Sequence, residues 1–171
     1  MSDSDSGPGF VGGISAIGDG KGVVRMEDVY DTSAEDLWSA LTDPYRLAGW
    51  IGAVEGELRV GGTFHARFTS GWEGPGRVEI CRQPERLLVV MAPGGPDETE
   101  IEATLTPAGD HTRLVIEERG IPIKHLPGHG AGWQAHVEDL VAHLAGRERQ
   151  DWHARWLELT PSYEASRGEL Q

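Results

Sequence analysis

The spacing of the apolar residues changes once along this chain, from alternation to helical spacing. Between residues 63 and 118, apolar side chains recur at every second position, as in Phe64, Ala66 and Phe68. After residue 132 they recur at helical spacing, in the series Trp133, Val137, Leu140, Val141 and Leu144. Alternation is typical of strands with one buried face, and the later series is typical of an amphipathic helix of about four turns. The chain therefore predicts an antiparallel sheet followed by one long helix.

The alternating region divides into short strands separated by turn residues. Strands are predicted over residues 63–69, 77–81, 87–91, 100–106 and 112–118, with turns at 61–62, 74–75, 83–84, 93–96 and 107–110. Val78 and Ile80 would share one face, with Cys81 on the other. Residues 11–17 and 23–30 predict an earlier hairpin around the glycine-rich segment 18–22. Short strands with short links predict a meander.

Two short helices are predicted between the hairpin and the meander. Thr32-Ser-Ala-Glu35 fits a capping box, with Thr32 as the cap of a helix that buries Leu37, Trp38 and Leu41. Asp43-Pro44 predicts a second start, with Asp as cap and Pro at the first position, and an end near Gly49-Trp50. These helices precede the sheet's main run of strands.

The sequence predicts three regions in one domain of α+β class. Residues 1–10 are a flexible tail of Ser, Asp, Gly and Pro, 11–146 form the domain, and 147–171 form a helical extension. The helix ending near Gly146 must cover the concave face of the curved sheet, because it is the only long helix of the domain. A helix laid across such a sheet leaves an apolar gap that can hold a ligand.

The C-terminal extension carries a second apolar stripe. Trp152, Trp156 and Leu159 share one helix face, and the helix is predicted to stop at Thr160-Pro161. The stripe either packs back on the domain or forms a homodimer contact, and its short length favours packing within the chain.

Charge and cysteine content restrict the classes of partner. The formal net charge of −13 argues against nucleic acid and anionic membranes, which would repel the chain. Cys81 is the only cysteine, so an internal disulfide is excluded, as expected in a reducing cytoplasm. The chain shows no signal peptide and no apolar run of ~18 residues, so we expect no membrane span and a cytoplasmic location.

Four short motifs resemble a known family. They are Trp38-Ser-Ala-Leu-Thr-Asp-Pro44 with Leu47 and Trp50, then Arg59-Val-Gly-Gly62, Arg86-Leu87 after Pro84, and Gly132-Trp133. Over residues 23–145 the chain resembles the activator-of-heat-shock-protein-90-ATPase-like family, within the START-like (SRPBCC) superfamily of polyketide cyclases and lipid-transfer proteins. The resemblance implies a helix-grip fold, a seven-stranded antiparallel sheet around the C-terminal helix. It also implies a hydrophobic ligand in the cavity between sheet and helix.

The inward faces of the predicted elements supply candidate ligand contacts. Met91 stands where many relatives carry Trp, at a strand end that should face the cavity. Trp50 and Trp72 lie at element ends, where an exposed apolar ring would be unusual. The full candidate lining is Trp50, Phe64, Phe68, Trp72, Met91, Leu114, Ile116, Trp133 and Val137.

Glu118 is the one weak catalytic candidate. Alternation in the strand 112–118 directs Thr112, Leu114, Ile116 and Glu118 inward. Inside an apolar cavity the pKa of Glu118 would rise, and the carboxyl could orient a ligand or act as a base. The favoured alternative is that the strand ends earlier and that Glu118 is solvated beside Arg119.

The other reactive residue types give no site. His125 and His129 have metal-ligand spacing, but Pro127 and Gly128 between them argue against the helix that this spacing requires. His136 and His143 lie beside the apolar stripe, so all four histidines are predicted to be solvated or capping, with no metal and no cofactor. Gly7, Gly9 and Gly12 match a dinucleotide motif without its strand and helix, and are assigned to the tail. Cys81 is predicted to be a buried, inert thiol.

Three functions remain open from the sequence. The first is the binding of a small hydrophobic ligand, which is favoured. The second is an enzyme of the polyketide-cyclase or hydrolase kind, with Glu118 as the base. The third is a chaperone-associated or stress-response interaction domain, which only the family name suggests.

Overall fold

The computed structural model describes residues 10–170, which form one curved antiparallel sheet and four helices. The predicted α+β helix-grip fold is confirmed, with eight strands where the resemblance implied seven. The strands are β1 (Val11–Gly18), β2 (Lys21–Tyr30), β3 (Gly52–Gly56), β4 (Thr63–Phe68), β5 (Glu73–Arg82), β6 (Arg86–Met91), β7 (Thr99–Ala108) and β8 (His111–Pro122). The helices are α1 (Ala34–Thr42), α2 (Pro44–Leu47), α3 (Leu126–Leu144) and α4 (Trp152–Gly168). All but the last residue of the predicted tail lies outside the described range.

The sheet order is β1-β2-β8-β7-β6-β5-β4-β3. The β1–β2 hairpin therefore pairs with the last strand, while α1 and α2 carry the chain across to the opposite edge. From β3 the predicted meander returns strand by strand to β8. A 3-10 turn, Ile123–His125, then leads directly into α3, which packs across β1 and β2. The last strand and the start of α3 are thus neighbours in sequence and in space.

The first helix is capped one residue later than predicted. The cap is Ser33 rather than Thr32, and its Oγ accepts a hydrogen bond from the Asp36 N–H at 3.1 Å. Thr32 instead donates from Oγ1 to the Asp36 carboxylate at 2.6 Å. Asp43 caps α2 as predicted, accepting from the Tyr45 N–H at 3.0 Å, but α2 ends at Leu47, before the predicted end. Thr32 and Ser33 both have a hydroxyl that can cap a helix. Ser33 is the cap because it is the residue with extended backbone directly before the first helical turn.

Two strands differ from what the sequence predicts. β3 was not predicted, since only Val54 among its five residues is buried. β5 runs through the predicted turn at Gly74-Pro75. A Cβ on Gly76 would lie 2.2 Å from the Phe64 ring, so glycine here permits close packing rather than a turn.

A β-bulge in β5 overturns a predicted face. The register with β6 shifts between Val78 and Ile80. Cys81, rather than Ile80, therefore shares the inner face with Val78, and Cys81 is half-buried against the hydrophobic core. An extra residue in a strand reverses the alternation beyond it, which a simple period of two cannot anticipate.

The last strand extends past Glu118. β8 continues to Pro122, and the Glu118 residue is 7% exposed, so the favoured alternative of a solvated Glu118 at a strand end was wrong. The register against β2 skips Gly120, which has φ +95°. Simple alternation would turn Ile121, three residues after the inward Glu118, to the outer face. The bulge at Gly120 places Ile121 on the buried face instead.

Both long helices include a proline at a position where the sequence predicts no helix or the end of a helix. α3 begins at Leu126 and includes Pro127 in its first turn, where a missing N–H costs no helical hydrogen bond. His129 therefore lies on the helix, contrary to the prediction. α4 runs through Pro161 to Gly168 rather than stopping at Thr160-Pro161. Packing against the rest of the chain supports the helix on both sides of this proline.

α4 packs on α3, so its aromatic stripe lies within the chain. Trp152 is 7% and Tyr163 6% exposed. The Tyr163 hydroxyl donates to Gln134 Oε1 at 2.8 Å, and Arg155 pairs with Glu138 at 2.8 Å. None of the helices within residues 10–170 is long and apolar enough to cross a membrane.

Candidate ligand-binding site

A cavity of about 670 Å³ lies between one end of the sheet and the two long helices. Its walls come from the end of β4 and the turn after it, from β6, β7 and β8, from the first half of α3, and from α4. Its lining includes the side chains of Phe68, Trp72, Met91, Glu118, His129, Trp133, His136, Trp152 and Trp156. The volume falls within the range of about 300–1,000 Å³ that is typical of small-molecule sites.

A second, smaller compartment of about 100 Å³ lies deeper under the sheet. Apolar side chains dominate its lining, including Trp50, Phe64, Val78 and Ile116. The two compartments share Ile51, Phe68, Met91, Ile101 and Trp133. These shared side chains separate the deep compartment from the outer one.

Aromatic rings form a continuous wall across the outer compartment. Phe68 stacks on Trp72 with ring centroids 5.4 Å apart. His136 lies at the centre, 5.8 Å from Trp133 and 5.1 Å from Trp152. Trp152 in turn stacks on Trp156 at 6.3 Å. The wall offers flat apolar faces from both the sheet and α4, which suits planar ligands.

Glu118 is held by three donors. Its Oε1 accepts from Trp133 Nε1 at 2.8 Å and faces His129 Nδ1 at 3.2 Å. Its Oε2 accepts from Thr99 Oγ1 at 2.8 Å. The strand β8 supplies the carboxylate, β7 supplies the hydroxyl, and α3 supplies His129 and Trp133 one turn apart. This cluster forms a buried polar part of the cavity wall.

The cluster keeps Glu118 ionised. Burial alone would raise the pKa of Glu118, but its hydrogen bonds and the charge of His129 outweigh burial and lower it. Burial likewise opposes charge on His129, yet the adjacent carboxylate raises the pKa of His129. The expected rise in the pKa of Glu118 was therefore wrong in direction, because donors at short range offset desolvation.

His136 behaves in the opposite way. It is 5% exposed, and burial lowers its pKa to about 3, so its ring is neutral at physiological pH. Its Nδ1, like Nε1 of Trp152 beside it, has no hydrogen-bond partner among residues 10–170. The prediction of solvated or capping histidines was wrong for His136, and for His129 with its carboxylate partner. His143 is half-buried and accepts from Arg46 Nε at 3.2 Å.

The predicted lining divides between the compartments. Phe68, Met91 and Trp133 line both, and Trp72 lines the outer one. Trp50, Phe64 and Ile116 line the deep one. Leu114 and Val137 lie beside Met26 and Tyr30, away from both compartments. Both residues have the periodicity of inward-facing positions. They lie in the core where α3 packs against the sheet, so they do not face the cavity.

Sequence reasoning named Trp133 but missed His129 and His136, which lie on the same helix. His129, Trp133 and His136 are spaced i, i+4 and i+7, which is one helix face. This spacing is visible in the sequence, but His129 shares the face only if α3 starts before Pro127. The wall from α4 was missed because the stripe of Trp152 and Trp156 was interpreted as packing within the chain or as a homodimer contact, and not as part of a ligand site. Across residues 10–170, no group of three or more His, Cys, Asp or Glu residues is arranged to hold a metal ion.

The sequence matches one family model. The model described as Activator of Hsp90 ATPase homolog 1-like protein matches residues 31–145, which include the candidate residues from Trp50 to Val137. Among proteins of curated function, none matches the chain.

Several solved structures share the fold. CalU16 from Micromonospora echinospora is 23% identical, with a TM-score of 0.76 over 93% of this chain and 98% of that one. EF2215 from Enterococcus faecalis is 18% identical, with a TM-score of 0.73 over 94% of this chain and 92% of that one. DynU16, from the dynemicin biosynthetic locus, is 26% identical, with a TM-score of 0.68 over 75% of this chain and 50% of that one.

Proposed function

Since the chain belongs to the family of Activator of Hsp90 ATPase homolog 1-like proteins, we propose that its cavity binds a small, largely apolar molecule with an aromatic ring system. The observation that carries the proposal is the cavity of about 670 Å³ with its aromatic wall. A cavity of this size and lining can bury most of a ligand of a few fused rings. The lone cysteine also supports a cytoplasmic location.

The lining indicates the chemistry of the ligand. Trp72, Trp133, Trp152 and Trp156 offer ring faces. Lys124 and Arg167 place positive charge at the same cavity, beside the carboxylates of Glu118 and Glu164. An aromatic ligand with a polar or anionic substituent fits both features. DynU16, which shares the fold, comes from the dynemicin biosynthetic locus, so a small molecule of a biosynthetic pathway is the class of ligand that we would test first.

The cavity also favours binding over the interaction-domain alternative. A chaperone-associated domain predicts a contact patch on the outer surface rather than an internal cavity. The stripe of Trp152 and Trp156 is packed within the chain and lines the cavity, so it does not serve as such a patch.

Native mass spectrometry of the purified full-length chain tests the proposal, followed by denaturing extraction of bound material. We expect a co-purified apolar molecule or, after its removal, stoichiometric binding of the fluorescent probe anilinonaphthalene sulfonate. A chain that carries no ligand and does not bind the probe would contradict the proposal.

A cavity-filling variant locates the binding. Met91 lies between the compartments and is 3% exposed, so Met91→Trp should occupy cavity space. We expect the dissociation constant of the probe to rise about tenfold or more, equivalent to about 1.4 kcal/mol. Leu157→Trp is the matched control, because Leu157 is 55% exposed on α4 and does not line the cavity. Equal affinities in the two variants would place the probe elsewhere.

A further inference from the structure

The contact between Glu118 and His129 has the form of a carboxylate–imidazole pair that acts in proton transfer. Glu118 is 7% exposed and faces Nδ1 of His129 at 3.2 Å. The His129 side chain is 38% exposed and lines the cavity. A buried carboxylate therefore lies behind an imidazole that reaches open space.

Glu118 itself is poorly placed to receive a proton from a ligand. Its Oε1 already accepts from Trp133 and faces His129, and its Oε2 accepts from Thr99. These contacts stabilise the ionised carboxylate and fix its orientation. The structure thus moves the role of base away from the residue that the sequence suggested.

The same contacts fix the state of His129. A carboxylate that only accepts hydrogen bonds places a proton on Nδ1 of the facing imidazole. The neutral ring then carries its free electron pair on Nε2, on the side away from Glu118. His129 shares the lining of the cavity with Trp133, Pro127 and Gly132.

We propose that the cavity catalyses proton abstraction from a bound carbon acid, with Nε2 of His129 as the catalytic base and Glu118 as the residue that positions it. This activity goes beyond ligand binding, and it rests on the proposed function in that the cavity must admit the substrate. In the step, the carbon–hydrogen bond breaks and the proton forms a bond to Nε2. The electron pair of that bond moves into the ligand as an enolate, or expels a leaving group. The proton later returns to the product or to water.

Other charged or titratable groups face the same cavity and bear on its pH dependence. They are Lys124 and His125 before α3, His136 on α3, and His153, Glu164 and Arg167 on α4. His136 stays neutral over the working range, because burial lowers its pKa to about 3. His129 differs from the other cavity histidines in that its Nδ1 faces a buried carboxylate.

The probe reaction is the opening of 5-nitrobenzisoxazole, in which a base removes the ring carbon's proton while the nitrogen–oxygen bond breaks. The product is a coloured cyanonitrophenolate, and no co-reactant is required. With the full-length chain, the rate should saturate with probe concentration. It should also rise with pH through a midpoint above 6.5, because Glu118 raises the pKa of His129. A rate that is flat or falling with pH across this range would overturn the proposal.

Three variants assign the activity. His129→Gln should lower the rate at least tenfold, to the level of the buffer reaction. Glu118→Gln should lower the rate and also shift the midpoint to lower pH, which a merely structural role would not do. His65→Gln is the matched control, since exposed His65 pairs with Glu73 at 2.8 Å outside the cavity, and its rate should be unchanged.

Binding of anilinonaphthalene sulfonate in the same samples separates the two proposals. A wild-type chain that binds this probe but opens the benzisoxazole no faster than His129→Gln would overturn the catalytic proposal alone. A wild-type chain that binds neither probe would overturn the proposed function as well. If His129→Gln does not fold, His129→Asn and the midpoint shift in Glu118→Gln give the same decision.

Discussion

Glu118 keeps a negative charge at a position where burial opposes it. Isolated, such a carboxylate would take up a proton, but three donors from β7 and α3 surround it. Trp133 and Thr99 supply neutral hydrogen bonds, and His129 supplies a positive charge. The attraction between the two charges is present only while both His129 and Glu118 are ionised, so this part of the stability depends on pH.

The folded-state pKa of Glu118 lies below its ordinary value of 4.5, so its contribution is present above pH 4.5 and is lost as the pH falls through the lowered value. The pKa of His129 lies above 6.5, so its contribution is complete below pH 6.5 and is lost as the pH rises through the raised value. We expect Glu118→Gln to lower the free energy of unfolding most between these limits, by about 1–3 kcal/mol, because it removes the ion pair with His129 and replaces one acceptor oxygen with an amide donor that faces other donors. Urea denaturation at several pH values measures this.

Glu73→Gln provides the control for this prediction. Glu73 pairs with His65 on the exposed surface, where an ion pair contributes little to stability. The free energy of unfolding should therefore change little at any pH. A loss in Glu118→Gln that is constant from pH 4 to pH 9 would show that the charge of His129 plays no part.

Gly76 tests how closely β5 packs against the deep compartment. An added Cβ would lie 2.2 Å from the Phe64 ring, so Gly76→Ala must displace that ring. We expect a loss of about 1–3 kcal/mol in the free energy of unfolding, as for other overpacked sites. Gly13→Ala in β1 is the matched control, because its Cβ would meet nothing within 4 Å. Equal stabilities of the two variants would contradict this packing.

At the scale of elements, the packing of α4 on α3 supplies one wall of the cavity. Its aromatic side chains form one wall, and Trp156 Nε1 donates to the Gly128 carbonyl at 2.9 Å. Glycines in the first turns of α3 allow the two helices to approach. Gly130 lies against the Tyr163 ring, whereas Gly128 has more room.

Substitution by alanine should lower the stability at Gly130 but not at Gly128. A Cβ on Gly130 would lie 2.6 Å from the Tyr163 ring, so Gly130→Ala should lower the free energy of unfolding by about 1–3 kcal/mol. A Cβ on Gly128 would lie 3.6 Å from Trp156, an ordinary contact, so Gly128→Ala should be neutral or stabilising by up to about 1 kcal/mol. Thermal and urea unfolding compare them. A stable Gly130→Ala would show that α4 is free to move from α3.

At the scale of the whole molecule, the cavity joins parts of the chain that are distant in sequence. A ligand would contact the β4–β5 turn, the sheet, α3 and α4 together. Its binding free energy therefore opposes the separation of α4 from the rest.

Hydrogen exchange can detect this coupling. Saturation with anilinonaphthalene sulfonate should slow amide exchange in residues 152–168 and 69–72, which border the cavity. Exchange in β1, at the opposite edge of the sheet from β3, should change less. Uniform protection, or protection confined to β1, would place the probe outside the cavity.

The sequence by itself determined the class of fold and most of the inner face. Alternation identified Phe64, Phe68 and Ile116, and the helical series identified Trp133, because burial imposes a period on each element separately. The capping residue Asp43 and the four motifs added the short helices and the family. These are local properties, and each can be recognised within a few turns or one strand.

Only the tertiary structure decided which side chains meet. The bulge in β5 places Cys81 rather than Ile80 on the inner face of the sheet. α3 begins at Leu126 and includes Pro127, which was expected to prevent a helix there. That start places His129 opposite Glu118, which the extended β8 carries into the cavity. Hydrophobic period is a property of one segment, whereas register, helix ends and the approach of α4 depend on contacts between segments. The site is built from those contacts, so its charges and its acid–base pair followed from the fold and not from the pattern.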